Sequence, residues 1–211
     1  MHAAVASQIL PPLAGLVGRR LSDPARRWVV VWCLLFVLHD GLSLALGSRG
    51  INNLWLGYVL TPLGGAVALW MLSHLQLHPT ERLTLRLAIP IVLVVTAVLF
   101  VAFEDASEFS RFTSTFLWLV LLLAALWTFV RRSFAATERL IRLGWFWIVL
   151  GLILHAASST AIEPLSGYFL AVDRVDLIFQ AINAKAGVDL VAFVIIAWGV
   201  LCPLTSSGGA S

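Results

Sequence analysis

Few side chains in this sequence are equipped for chemistry, and most of them sit inside long apolar runs. His39 and Asp40 are neighbours within one run, His155 stands in another, and Asp189 follows Lys185 by four residues in a third. Tyr58, Thr61 and Ser159 add hydroxyl groups in similar surroundings. Histidines and carboxylates placed this way suit three tasks. They can hydrogen-bond a small ligand, they can ligate a b-type haem through His39 and His155, or they can carry protons as titrating groups. The sequence contains no G-x-S-x-G, H-E-x-x-H, Walker loop or dinucleotide glycine fingerprint, so an enzymatic activity ranks below these. His74 and His78 have the i, i+4 spacing of a helical metal clamp. With Pro79 following at once and only Glu81 nearby, a pair of interfacial histidines is the plainer reading. Cys33 and Cys202 lie far apart in apolar runs and read as small buried hydrophobes rather than a disulfide or metal pair.

The surroundings of these residues decide the class of protein. Of 211 residues 60% are hydrophobic and only 12% charged, with a mean hydropathy of +0.95. Soluble domains run nearer half apolar and a quarter charged, so a water-soluble globule is excluded. The net charge of +3 comes from arginines scattered singly or in pairs. No basic face with interleaved aromatics is present, so positive charge at a membrane surface explains the balance and nucleic acid does not. A basic set of 13 arginines and one lysine hints at a GC-rich bacterial genome.

Six apolar runs follow one another at 28–47, 53–73, 85–103, 112–130, 143–162 and 184–201. Each holds 18 to 21 residues, the length that crosses a bilayer as a helix. The ~10-residue alternating segments of a β-barrel are absent. The fold expected is an all-α polytopic transmembrane helix bundle forming a single domain over 1–204, with a disordered tail at 205–211. Residues 3–18 form a possible seventh, short span: sixteen residues reach only about 24 Å, Pro11-Pro12 interrupts them, and the arginines follow rather than precede. Between 168 and 183 apolar residues recur at three- and four-residue spacing opposite Asp173, Asp176, Gln180 and Asn183. That pattern predicts a separate amphipathic helix at the interface.

Charge placement orients the bundle. Arg19, Arg20, Arg26, Arg27, Arg82, Arg86, Arg131, Arg132, Arg139 and Arg142 flank one side; Arg49, Arg111, Arg174 and Lys185 flank the other. The positive-inside rule then places the richer side and the C-terminus in the cytoplasm of a bacterial inner membrane. The second side also carries Glu104, Asp105, Glu108, Glu163, Asp173 and Asp176.

With this threading the polar residues share a depth. At 1.5 Å per residue His39 and Asp40 lie ~11–12 Å from the outer end of their span, His155 ~11 Å, Asp189 ~8 Å, and Tyr58 and Thr61 ~8–12 Å. Four helices thus converge on one outer half-leaflet. Gly144, Trp147, Gly151, His155 and Ser159 follow one helical stripe, where small residues admit a neighbour and the histidine meets a partner. Gly57, Thr61, Gly64, Gly65 and Ala68 form a similar stripe. His39 and Asp40 point about 100° apart, and at this depth Asp40 is expected to be either protonated or paired with a polar group such as one on a neighbouring span. The competing reading is structural: these groups hydrogen-bond across helices and hold the bundle together, and Lys185 with Asp189 simply neutralise each other.

The stretch Gly50-Ile51-Asn52-Asn53-Leu54-Trp55-Leu56-Gly57-Tyr58, followed by Thr61-Pro62, resembles a span entry in a group of small bacterial multi-pass membrane proteins. The likeness runs over 10–200 in hydropathy, and its specific part is that dozen residues. The group has no established activity, so the resemblance implies an architecture of seven helices and no mechanism. Where members carry an acidic residue after T-P-x, this chain has Gly64-Gly65. Four functions remain, in this order: a ligand-binding or sensing bundle with an outer polar pocket, a structural subunit of a membrane complex, a haem protein, and a small proton-linked transporter. The lipid bilayer is the partner common to all. Cysteines introduced at Ser133 and Ser107 are expected to react with an impermeant thiol reagent from opposite sides. Labelling at Ser133 from outside would overturn the threading.

Overall fold

The computed structural model describes residues 6–18, 22–106 and 110–204. Residues 3–5 of the possible first span, Arg19, Arg20, Glu108 and the tail expected at 205–211 lie outside the described residues. The described residues form seven α-helices and no strand: α1 (Leu10–Val17), α2 (Pro24–Gly47), α3 (Trp55–Leu75), α4 (Pro79–Phe103), α5 (Phe112–Ala135), α6 (Gly144–Ala171) and α7 (Val175–Leu201). A 3₁₀ turn at Leu140–Arg142 precedes α6. Helices α2 to α7 are long and apolar enough to cross a membrane. Leu87, Val94, Val101, Leu123 and Trp198 point outward from them, as surfaces that meet lipid do. The protein is an integral membrane helix bundle. Helix α1 covers about 12 Å, well short of a crossing.

Local sequence explains where the helices begin and end. Asp23 caps α2, its carboxylate accepting from the Ala25 and Arg26 amides, and Pro24 occupies the first turn where no amide is needed. Beyond Gly47, Gly50 takes φ +69° while Ile51 N–H bonds Leu46 O and Gly50 N–H bonds Gly47 O, which closes the helix in a Schellman motif. The next two residues then build the hairpin to α3. Asn52 Oδ1 accepts from the Leu54 amide, and Asn53 Nδ2 donates back to Ser43 O at 2.7 Å. The N-N pair of the resemblance therefore has a definite structural task.

The expected amphipathic element at 168–183 is not a separate helix. Helix α6 runs through Pro164 to Ala171, a turn follows, and residues from Val175 onward are the first turns of α7. Asp173 makes the turn with φ +55°, and the Arg174 amide bonds Phe169 O. Asp is among the few non-glycine residues that tolerate this conformation, so the break leaves no glycine or proline signature. The apolar periodicity simply continues across it.

Helix packing forms a ring in the order α2, α3, α5, α6, α7, with α1 wedged between α7 and α2 and α4 outside, against α3 and α5. The largest contact is between α6 and α7. It depends on glycine: a Cβ at Gly199 would meet Gly144 O and Ile148 N at 2.8 Å, and one at Gly151 would meet Ala192 O at 2.7 Å. Ile148, rather than the expected Trp147, occupies the stripe. The Trp147 indole turns back to Ile141 O. On α3, Gly65 receives the Leu117 side chain, whereas Gly64 and Gly57 face open space.

Arginines secure the end where α3, α5 and α7 finish. Arg132 donates to Leu75 O at 2.6 Å, Arg82 to Gln76 O, and Arg26 to Cys202 O. Each meets a carbonyl that the end of a helix leaves without an intrahelical partner. Arg131 pairs with the buried Glu81. At the opposite end Glu104 caps α5, accepting from the Arg111 and Phe112 amides at 2.5 and 2.6 Å. If backbone contact sets the α6–α7 spacing, Gly151→Ala and Gly199→Ala should each cost about 1–3 kcal/mol. Gly57→Ala should be neutral or slightly stabilising. Unfolding in detergent micelles measures all three.

Candidate functional site

Near the acidic ends of the helices the ring borders a partly open cavity of about 180 Å³. Its polar lining comes from Gln8, in the turn before α1; His39 and Asp40 on α2; Thr61 on α3; His155 and Glu163 on α6; and Lys185 and Asp189 on α7. Trp118 of α5 and Phe36 of α2 complete the wall. Five of the seven residues singled out from sequence, His39, Asp40, Thr61, His155 and Asp189, meet here.

Tyr58 and Ser159 do not. Tyr58 stacks obliquely on Phe100 of α4 at 4.6 Å, and Ser159 is fully buried in the helix packing with no hydrogen-bond partner for Oγ.

His155 and Asp189 form the inner wall. The imidazole is almost wholly buried, and its Nδ1 lies 2.7 Å from Asp189 Oδ1. The second oxygen of Asp189 accepts from Lys185 Nζ at 2.6 Å. An ionised carboxylate only accepts, so the imidazole proton belongs on Nδ1 and Nε2 presents a lone pair. That Nε2 is buried and has no protein partner. The rings of Trp32, Phe36, Trp118 and Phe193 stand around the imidazole with centroids 5.0–5.6 Å away. Three of them are nearly perpendicular to it. They fix its orientation by edge-to-face packing.

The opposite wall is half-exposed. Asp40 pairs with its own neighbour, His39 Nδ1 at 2.9 Å, and with Gln8 Nε2 at 2.8 Å. Its partners are thus the adjacent residue and the N-terminal segment rather than a spanning helix. Side-chain length allows this: residues 100° apart on a helix can still bend toward each other at the carboxylate.

Sequence reasoning missed Gln8, Trp118 and Glu163 and assigned Lys185 a neutralising role only. Glu163 Oε1 accepts from the Trp118 indole at 2.7 Å, linking α6 to α5. A signal for it existed, since 155, 159 and 163 continue one i+4 stripe. Ending the span at Ile162, before Pro164, hid it. Gln8 and Ser7 are the polar residues of an otherwise apolar segment, whereas nothing in the sequence marks Trp118.

The haem expectation does not fit this geometry. Pockets for drug-sized ligands run to about 300–1,000 Å³, and a porphyrin needs a broad flat slot. Here the cavity, about 180 Å³, is smaller than that range. His74 and His78 do not form a clamp either. Helix α3 ends at Leu75, His78 lies beyond it, and among the described residues no group of three or more His, Cys, Asp and Glu could hold a metal ion.

The fold and cavity define a class: an integral membrane bundle whose described residues include six helices long and apolar enough to cross a membrane, with a cavity lined by ionisable side chains. No known protein family, curated protein or solved structure matches the chain.

The two walls should differ in energetic weight. Removing one partner of a buried ion pair typically costs 3–5 kcal/mol, because the other charge is left stranded. Asp189→Ala should lose about that much stability, as Lys185 and His155 lose their shared acceptor. Asp40→Asn, at a half-exposed pair, should cost about 1 kcal/mol or less. Denaturant titration in micelles, followed by tryptophan fluorescence, compares them.

Proposed function

We propose that this chain is a multi-pass protein of a bacterial inner membrane that binds a small polar ligand in the outer half of the bilayer, with its C-terminus in the cytoplasm. The observation that carries this reading is the convergence of polar side chains from α2, α3, α6, α7 and the N-terminal segment on one cavity. Buried polar atoms normally find partners, and those left without one mark places where water or a ligand completes the network. His155 Nε2 and Gln8 Oε1 are two such atoms on this cavity. The volume falls below the range of pockets for drug-sized molecules, so the ligand is small.

Orientation and location rest on the arginines. Arg26, Arg82, Arg86, Arg131, Arg132, Arg139 and Arg142 flank the end opposite the cavity, which supports a cytoplasmic assignment for that end. A second reading, a proton-linked carrier, is favoured by one feature. Two imidazole–carboxylate pairs, His39–Asp40 and His155–Asp189, border the same space. Acidification of liposomes holding the protein would support it, and tight vesicles would argue for binding alone.

The binding reading is tested with purified protein and a panel of small polar metabolites, using melting temperature and tryptophan fluorescence as readouts. At least one compound should stabilise the protein saturably. Asp40→Asn should abolish that response while leaving the folded fraction intact. A response that survives in Asp40→Asn in proportion to folded protein would make Asp40 a structural residue and remove it from the site.

A further inference from the structure

The bonds that the cavity residues make with one another determine what they have left to offer. His155 gives its Nδ1 proton to Asp189, so its remaining nitrogen accepts. The His39 Nδ1 lies 2.9 Å from Asp40 Oδ1, so that pair is closed on itself. Gln8 spends its amide N–H on Asp40, which fixes the amide rotamer and leaves Oε1, buried and unpartnered, as an acceptor. Glu163 accepts from Trp118 with one oxygen, and carboxylates hold lone pairs for more. Three side chains, His155, Gln8 and Glu163, thus present acceptors to one space.

Charge points the same way. Among the described lining residues Asp40, Glu163 and Asp189 face a single ammonium, Lys185, already held by Asp189 at 2.6 Å. One wall is aromatic, formed by Phe36 and Trp118 stacked at 6.1 Å, a surface that also favours cations.

We propose that the ligand is a small organic ammonium ion bearing several N–H donors, a short primary amine or diamine. This rests on the ligand-binding reading of the cavity. The N–H groups satisfy His155 Nε2 and Gln8 Oε1, the charge is met by Glu163 and Asp40, and the carbon chain lies along Phe36 and Trp118. Among the described lining residues the one ammonium, Lys185, is already held by Asp189, so an anion is poorly served, and a bulky ligand exceeds the space.

The test uses the full chain in detergent at constant ionic strength with five probes: ethanolamine, putrescine, tetramethylammonium, glycerol and acetate. Melting temperature and tryptophan fluorescence are followed for the wild type, Glu163→Gln and Asp40→Asn. Ethanolamine or putrescine should stabilise the wild type saturably, and Glu163→Gln should weaken that response about tenfold or more. Tetramethylammonium, equal in charge but without donors, and neutral glycerol should be inert. If Glu163→Gln does not fold, the same loss is read from Asp40→Asn. An equal response to tetramethylammonium would overturn the donor argument, and a saturable response to acetate or glycerol with the amines silent would overturn the cation assignment while leaving a binding cavity. Silence from the amines and from the wider metabolite panel would overturn both.

Discussion

An ionised carboxylate in an apolar bundle has to be surrounded by donors, and Asp189 is where this chain meets that demand. A charge near the middle of a bilayer costs on the order of 2.5–3.5 kcal/mol even by insertion scales, unless it faces the interior and is paired. Asp189 divides its two oxygens between His155 of α6 and Lys185 one turn earlier on α7. The first bond requires α6 and α7 to run close together, and the glycines at 144, 151 and 199 permit it. Around the imidazole stand the rings of Trp32 and Phe36 of α2, Trp118 of α5 and Phe193 of α7, which hold it in place. Tight packing, aromatic box and polar cavity are consequences of one buried anion.

The two ends of the bundle solve a related problem in backbone terms. Helices that stop at the arginine-rich end expose carbonyls and the negative pole of their dipoles, and Arg26, Arg82 and Arg132 bond those carbonyls. Helix α5 begins at the opposite end with its amides on Glu104. The same asymmetry of charge that orients a membrane protein here also completes the hydrogen bonding of its helix termini.

The helical bundle was legible from sequence because a bilayer-crossing helix has to be long and apolar, and hydropathy records both properties directly. Depth was legible for the same reason, so His39, Asp40, Thr61, His155 and Asp189 could be grouped before their helices were known to be arranged in a ring. Adjacency was not. Tyr58 shares the depth but faces α4, because rotation about a helix axis leaves no trace in mean hydropathy. Glu163 was concealed by Pro164, which reads as a terminus although the helix continues through it. The turn at Asp173 was concealed in the opposite way, since a left-handed aspartate interrupts a helix without a glycine to announce it.

The three-residue turn between α6 and α7 also bears on the order of assembly. Contacts that are near in sequence cost little loop-closure entropy, and they form early. His155, Glu163, Lys185 and Asp189 all lie on this one hairpin, so most of the ionisable groups neutralise one another within a unit that needs no distant partner. Closure of the ring by α1 against α7 joins segments more than 150 residues apart and belongs to the last stage. Until then the cavity has only part of its wall, and the N-terminal segment is the piece that finishes it.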